Sequence, residues 1–105
     1  MVGGMGVAGT ALATLALPLS AQTSIDTKRT QTVRTSQLKN GAGDDVKVTQ
    51  NGSIELTSGS GIVVDSDHDA TNDGKIIVTN SDGASGIETT GDRQSDIVNN
   101  GTITV

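Results

Sequence analysis

Three glycines and the residues flanking them constrain this chain more than anything else in it. Gly52, Gly74 and Gly101 are each preceded by Asn51, Asp73 or Asn100 and followed two residues later by Ile54, Ile76 or Ile103. Four residues after each glycine stands Leu56, Val78 or Val105, and four before it Val48, Ala70 or Ile97. The unit is an aliphatic residue, a turn, an Asn/Asp-Gly pair, and a short strand whose apolar side chains alternate. Alternation at period two places those side chains on one face of a strand. The glycines lie 22 and 27 residues apart, a spacing at which repeated units stack on one another rather than fold alone.

Further short strands fill the intervals. Val46-Lys47-Val48, Ile54-Glu55-Leu56 and Gly61-Ile62-Val63-Val64 make one round, and Ala70, Lys75-Ile76-Ile77-Val78 and Gly86-Ile87-Glu88 make the next. Ile97-Val98 opens another. The pattern predicts an all-β chain, the first two to three coils of a right-handed parallel β-helix. Such a solenoid has three strands per coil, and its coils stack about 4.8 Å apart. Inward side chains of successive coils then form columns: Ile54 over Ile76 over Ile103, Val48 over Ala70 over Ile97, and Ile62 over Ile87. In the Asn/Asp-Gly pairs glycine is expected for its tolerance of positive φ.

Composition supports a thin interior. The chain has no Phe, Tyr or Trp, so the bulk that aromatic side chains normally bring to a core is absent. Ile, Val and Leu must fill it in small layers. The many Ser, Thr, Asn, Gly and Asp residues make a disordered polar segment the competing reading, but disorder has no reason to keep β-branched residues at period two beside turn residues. With no cysteine, disulfides, thiolate metal sites and a lipid-modified cysteine anchor are excluded.

Charge divides the chain. No charged residue precedes Asp26; residues 26–39 carry a net +3 (Lys28, Arg29, Arg34 and Lys39 against Asp26), and residues 40–105 a net −8. An acidic repeat region disfavours nucleic acid and anionic membranes as partners. The basic stretch reads as a solvated face.

Three segments follow. Residues 1–21 read as a secretory signal peptide: Val7–Leu19 is an apolar run of signal-peptide length, Pro18 breaks it, and Ser20-Ala21 supplies small residues before a cut between Ala21 and Gln22. No Lys or Arg precedes the run, which points to a start further upstream. The run is too short and too rich in Gly, Ala and Thr to span a bilayer, so no transmembrane helix is expected in the mature chain. Residues 22–43, dense in Thr and Ser, are expected to be an N-terminal cap or linker, and 44–105 the solenoid repeats. Gly4-Met5-Gly6-Val7-Ala8-Gly9 matches the dinucleotide fingerprint in letters only, because no strand precedes it and no βαβ unit contains it. The aliphatic strand ending at Val105, with no cap after it, leads us to expect an N-terminal piece of a longer polypeptide.

Few residues suggest chemistry. Asp65-Ser66-Asp67-His68-Asp69 has the D-x-D-x-D start of a calcium loop, but Ala70 stands in the glycine position and Ile76 in that of the bidentate glutamate. It reads as an acidic turn between coils. Gly41-Ala42-Gly43-Asp44-Asp45 begins like a calcium-binding nonapeptide repeat, yet Lys47 takes its apolar position and no tandem copy follows. His68 is the single histidine, and a zinc site or catalytic triad needs more partners than it offers. No catalytic, cofactor-binding or metal-ligating residue is therefore expected, and no cofactor.

The leader ending Leu19-Ser20-Ala21, the segment Gln31–Ser36, the Gly43–Val48 turn and strand, and the Asn-Gly-x-Ile units together resemble the start of a bacterial autotransporter passenger. The similarity is to the large outer-membrane autotransporters of alphaproteobacteria such as sphingomonads, and it covers nearly the whole chain. The resemblance implies Sec-type export, further solenoid coils in the same chain, a C-terminal outer-membrane barrel, and a place at the cell surface or outside the cell. A protease or lipase-like domain often lies between passenger and barrel in that family; nothing here matches one, so no activity is carried over. The function expected is a structural stalk or scaffold, with adhesion as one use. A secreted β-helical polysaccharide lyase or hydrolase is the alternative from the enzyme class.

Overall fold

The structure, a computed structural model, describes residues 22–79 and 82–105. The expected leader and its cleavage point after Ala21 lie outside the described residues. Among the described residues eleven strands follow one another: β1 (Thr23–Ile25), β2 (Lys28–Arg29), β3 (Val33–Arg34), β4 (Val46–Val48), β5 (Ser53–Leu56), β6 (Ile62–Val64), β7 (Ala70–Asn72), β8 (Lys75–Val78), β9 (Ile87–Thr89), β10 (Ile97–Asn99) and β11 (Thr102–Thr104). One short 3-10 turn, Thr35–Gln37, follows β3. Every strand pair is parallel. The first sheet runs β1-β4-β7-β10, the second β2-β5-β8-β11, and the third β3-β6-β9. Each strand therefore pairs with the strand three places on, as in a parallel β-solenoid with three strands per coil.

The second sheet has the register expected from the glycines. Ile54 pairs with Ile76, Ile76 with Ile103, and Leu56 with Val78. In the third sheet Ile62 lies over Ile87, with Val33 on its other side. In the first sheet the expected column holds for Ala70 over Ile97 but is off by two residues at Val48. Ala70 sits between Val46 and Ile97, while Val48 faces Asn72, which in turn faces Asn99. The reason is corner length: four residues, Thr49–Gly52, join β4 to β5, but only Asp73-Gly74 join β7 to β8. Counting back from the glycine therefore lands on different strand positions in the two coils.

Thr23–Arg34 forms a complete first coil within the stretch expected as cap or linker. Thr23, Ser24 and Ile25 pair with Val46, Lys47 and Val48, and β2 and β3 lie on β5 and β6. Among the described residues the strand pairing thus begins at Thr23, ahead of the first Asn/Asp-Gly pair.

The interior is as thin as the composition requires. Ile25, Val33, Val46, Val48, Ile54, Leu56, Ile62, Val64, Ala70, Ile76 and Val78 form one buried cluster, with Leu38, Ala84, Ile87 and Ile103 packed against it. Each of the larger aliphatics contributes about 1.5–3 kcal/mol by leaving water. At β10 the packing opens, and Ile97 and Val98 remain 43% and 42% exposed.

The corner glycines have a different cause from the one expected. Gly52, Gly74 and Gly101 do not take positive φ; Gly41, Gly59, Gly83 and Gly91 do. What the three share is contact. A Cβ on Gly52 would overlap the Ile25 carbonyl, one on Gly74 the Gly52 and Thr49 carbonyls, and one on Gly101 the Gly74 carbonyl. Successive coils touch backbone to backbone at this corner, so no side chain fits between them.

Candidate functional site

The polar groups of this fold collect at its corners, where each coil must satisfy backbone groups that the sheets leave over. At the corner joining the third sheet to the first, aspartates meet that demand. Asp69 N–H donates to Asp45 Oδ1 (2.8 Å), and Asp96 N–H donates to Asp69 Oδ1 (2.8 Å). Each carboxylate precedes a strand of the first sheet and accepts from the residue at the same position one coil on. Thr23 Oγ1 adds a bond to Asp44 Oδ2 at 2.7 Å.

The Asp65–Asp69 turn, the densest polar cluster in the sequence, is spent in the same way. Asp65 Oδ1 accepts from Ser36 N–H in the preceding coil (2.9 Å), and Asp67 Oδ1 from Gln94 N–H in the following one (3.1 Å). With Asp69 bonded to Asp96, the three carboxylates serve three different backbone amides across two coil boundaries. Among the described residues, no group of three or more His, Asp or Glu side chains is arranged to hold a metal ion. Burial alone would raise the Asp65 pKa. Hydrogen bonds from Ser36 and its own backbone, with the Arg34 guanidinium 3.7 Å away, outweigh that and hold it below the usual carboxylate value.

His68 belongs to this corner too. Its Nδ1 lies 2.8 Å from Ser66 Oγ, and Ser66 Oγ lies 2.8 Å from Oγ1 of the fully buried Thr35. The Asp65 amide also donates to Thr35 Oγ1, at 3.2 Å. A serine beside a histidine has the chemistry of a nucleophile and its base. Here, however, Ser66 Oγ is shared between His68 and Thr35, and the imidazole edge rests against Gly43. The group clasps the 3-10 turn to the second coil. Sequence reasoning treated His68 as a lone residue; the i, i+2 spacing of Ser66 and His68 was the only local sign of the pair.

A second polar feature was not foreseen. Asn72 is fully buried in the first sheet. Its Nδ2 donates to Asn99 Oδ1 (2.8 Å) and to the Thr102 carbonyl (3.1 Å), and its Oδ1 accepts from Gly74 N–H (3.1 Å). Beside it, Asn100 Nδ2 donates to Asp73 Oδ1 (2.9 Å), and Lys47 Nζ lies 3.3 Å from Asp73 Oδ2. Both contacts hold the Asp73 pKa low, the Asn100 bond most.

One groove lies on the outer face of the solenoid. Arg34, Val63 and Glu88 stand in register on the third sheet. They line a cavity of about 310 Å³ with Ser60, Asp82 and Ala84 among its other residues. Val63 is only 5% exposed although it points outward. Glu88 Oε1 accepts a hydrogen bond from Ser60 Oγ (2.6 Å).

The chain matches no protein-family model, no curated protein and no solved structure. Among the described residues, no helix is long and apolar enough to cross a membrane.

Proposed function

We propose that this chain is an exported structural solenoid, the start of an autotransporter passenger that acts as a stalk or scaffold at the cell surface. The single observation that supports it most is the corner chemistry. The densest polar cluster, Asp65–Asp69, uses its carboxylates on backbone amides of adjacent coils, as a scaffold requires. The lack of cysteine and the coil-to-coil pairing also suit a chain that crosses a membrane unfolded and then folds by contacts between neighbouring coils. In this proposal further coils of the same chain cover β10 and β11, and Sec-type machinery and a C-terminal barrel are its export partners.

The test is export. The leader from its upstream start through Ile25, fused to an alkaline phosphatase stripped of its own leader, should give periplasmic activity and a product beginning at Gln22. Cytoplasmic retention of the fusion would refute the proposal. The outer groove favours the second reading, a polysaccharide-cleaving solenoid, because Glu88 and Asp82 both line it. That reading requires cleavage of an uncharged or acidic polysaccharide by the full chain, abolished in Glu88→Gln.

A further inference from the structure

The N-terminal end of the stack carries a cavity of about 470 Å³ lined wholly by residues from the 28–38 segment. Three of them are cations, Lys28, Arg29 and Arg34, and none is a carboxylate, in a chain of net charge −5. The one acid nearby in sequence, Asp26, accepts a hydrogen bond from Thr49 in the second coil (2.8 Å) and does not line the cavity. Among the described residues Lys28 and Arg29 form no ion pair, and Arg34 has only the 3.7 Å contact to Asp65 with half of its side chain exposed.

Register makes Arg29 unusual. It pairs with Ile54 and so heads the column that Ile54, Ile76 and Ile103 continue. Where the other coils place isoleucine, the first coil places an exposed guanidinium beside a cavity. The backbone adds donors. Val33 N–H is bonded to the Gly61 carbonyl in the second coil (3.0 Å). Successive peptide groups of a strand point to opposite sides, so the flanking amides of β3, the outermost strand of its sheet among the described residues, face away from β6.

We propose that this cavity binds a small oxyanion carrying two or three negative charges, a polycarboxylate or a polyphosphate. Arginine forks and a lysine suit such groups, and Gln31 and Gln37 add neutral donors. The volume is that of a small-molecule site. With no aromatic residue in the chain, there is no platform for stacking a nucleobase or a sugar ring, so charge must carry the recognition. The acidic remainder of the solenoid repels extended polyanions.

Calorimetric titration of the full chain with citrate, with pyrophosphate and with acetate tests this. At least one of the trivalent probes should bind about tenfold or more tightly than acetate, and the stronger of the two assigns carboxylate or phosphate as the preferred group. Arg29→Gln and Lys28→Gln should each weaken that probe by about tenfold, the loss of one charge-assisted hydrogen bond. Lys75→Gln, a cation outside the cavity, should leave it unchanged. Both substituted cations are exposed, and circular dichroism is the check that the variants fold. Failure of both probes to bind overturns the proposal, as does acetate binding equally well, or equal loss in Lys75→Gln. Cations that served only to keep another strand off β3 would give the first of these results.

Discussion

Truncation of Asn72 to alanine isolates the contribution of one buried polar side chain to coil stacking. The side chain makes three hydrogen bonds, two to the next coil and one to Gly74 N–H within its own corner. Gly74 is buried, so its N–H loses its acceptor away from bulk solvent. Stranding that amide costs about 1–3 kcal/mol, and the loss of a further hydrogen bond adds about 1 kcal/mol. Asn99 and Thr102 are exposed, so their oxygens rehydrate at little cost. Asn72→Ala should therefore destabilise the chain by about 2–4 kcal/mol, whereas Asn99→Ala, which breaks only the half-solvated bond, should cost less than about 1 kcal/mol. Urea unfolding followed by far-ultraviolet circular dichroism reads both. With a slope near 1.5 kcal/mol/M, Asn72→Ala lowers the midpoint by about 1.3–2.7 M. Equal midpoints for the two variants, or a loss below 1 kcal/mol in Asn72→Ala, would refute the reasoning, because the buried amide would then have found another partner.

Other expectations are simpler to check. Gly74→Ala should cost about 1–3 kcal/mol from overpacking against the carbonyls of Gly52 and Thr49, and an unchanged melting temperature would show that the corner can open. The Asp65 and Asp73 pKa values are held low in the folded state, so their stabilising contribution is present above the unfolded carboxylate value near 3.8 and is lost as pH falls through the lower folded values. Thermal unfolding should be flat from neutral pH to mild acid and fall steeply below that, with a shallower fall in Asp65→Asn; identical acid limbs would discount its bonds to Ser36. Calcium added to the full chain should leave the melting temperature unchanged, since the Asp65, Asp67 and Asp69 carboxylates already serve backbone amides; a rise that chelator reverses would contradict this.

What could be read from the residues was whatever repeats locally. The Asn/Asp-Gly-x-Ile unit was enough for the second sheet, because the distance from glycine to the inward isoleucine is the same in three coils. It failed in the first sheet, where two extra residues in Thr49–Gly52 shift Val48 away from Ala70 and onto Asn72. A buried asparagine opposite a valine is invisible until that register is known. The first coil is not legible in the sequence because Asp26-Thr27 turns the corner without glycine, and threonine-rich strands lack the aliphatic alternation of the others. The aspartates were correctly read as turn residues, but their acceptors' partners lie 24 to 29 residues away, beyond any local pattern. Arg29 looked like one more surface cation, since nothing in its neighbours shows that it heads an isoleucine column.

The glycine corner also determines where this chain can vary in length. Two residues join the strands in three of its four passages, Asp26-Thr27, Asp73-Gly74 and Asn100-Gly101, and four in Thr49–Gly52. The corner after the third sheet is unconstrained in that way, holding 35–45 in one coil, 65–69 in the next and 90–96 in the last. Doubling a flexible loop costs only about 0.6 kcal/mol in closure entropy. Foreign peptide inserted within 90–96 should therefore be carried on the outside of an unchanged stack, while residues added between Asp73 and Gly74 would have to form a longer corner like Thr49–Gly52, which leaves the second sheet in register.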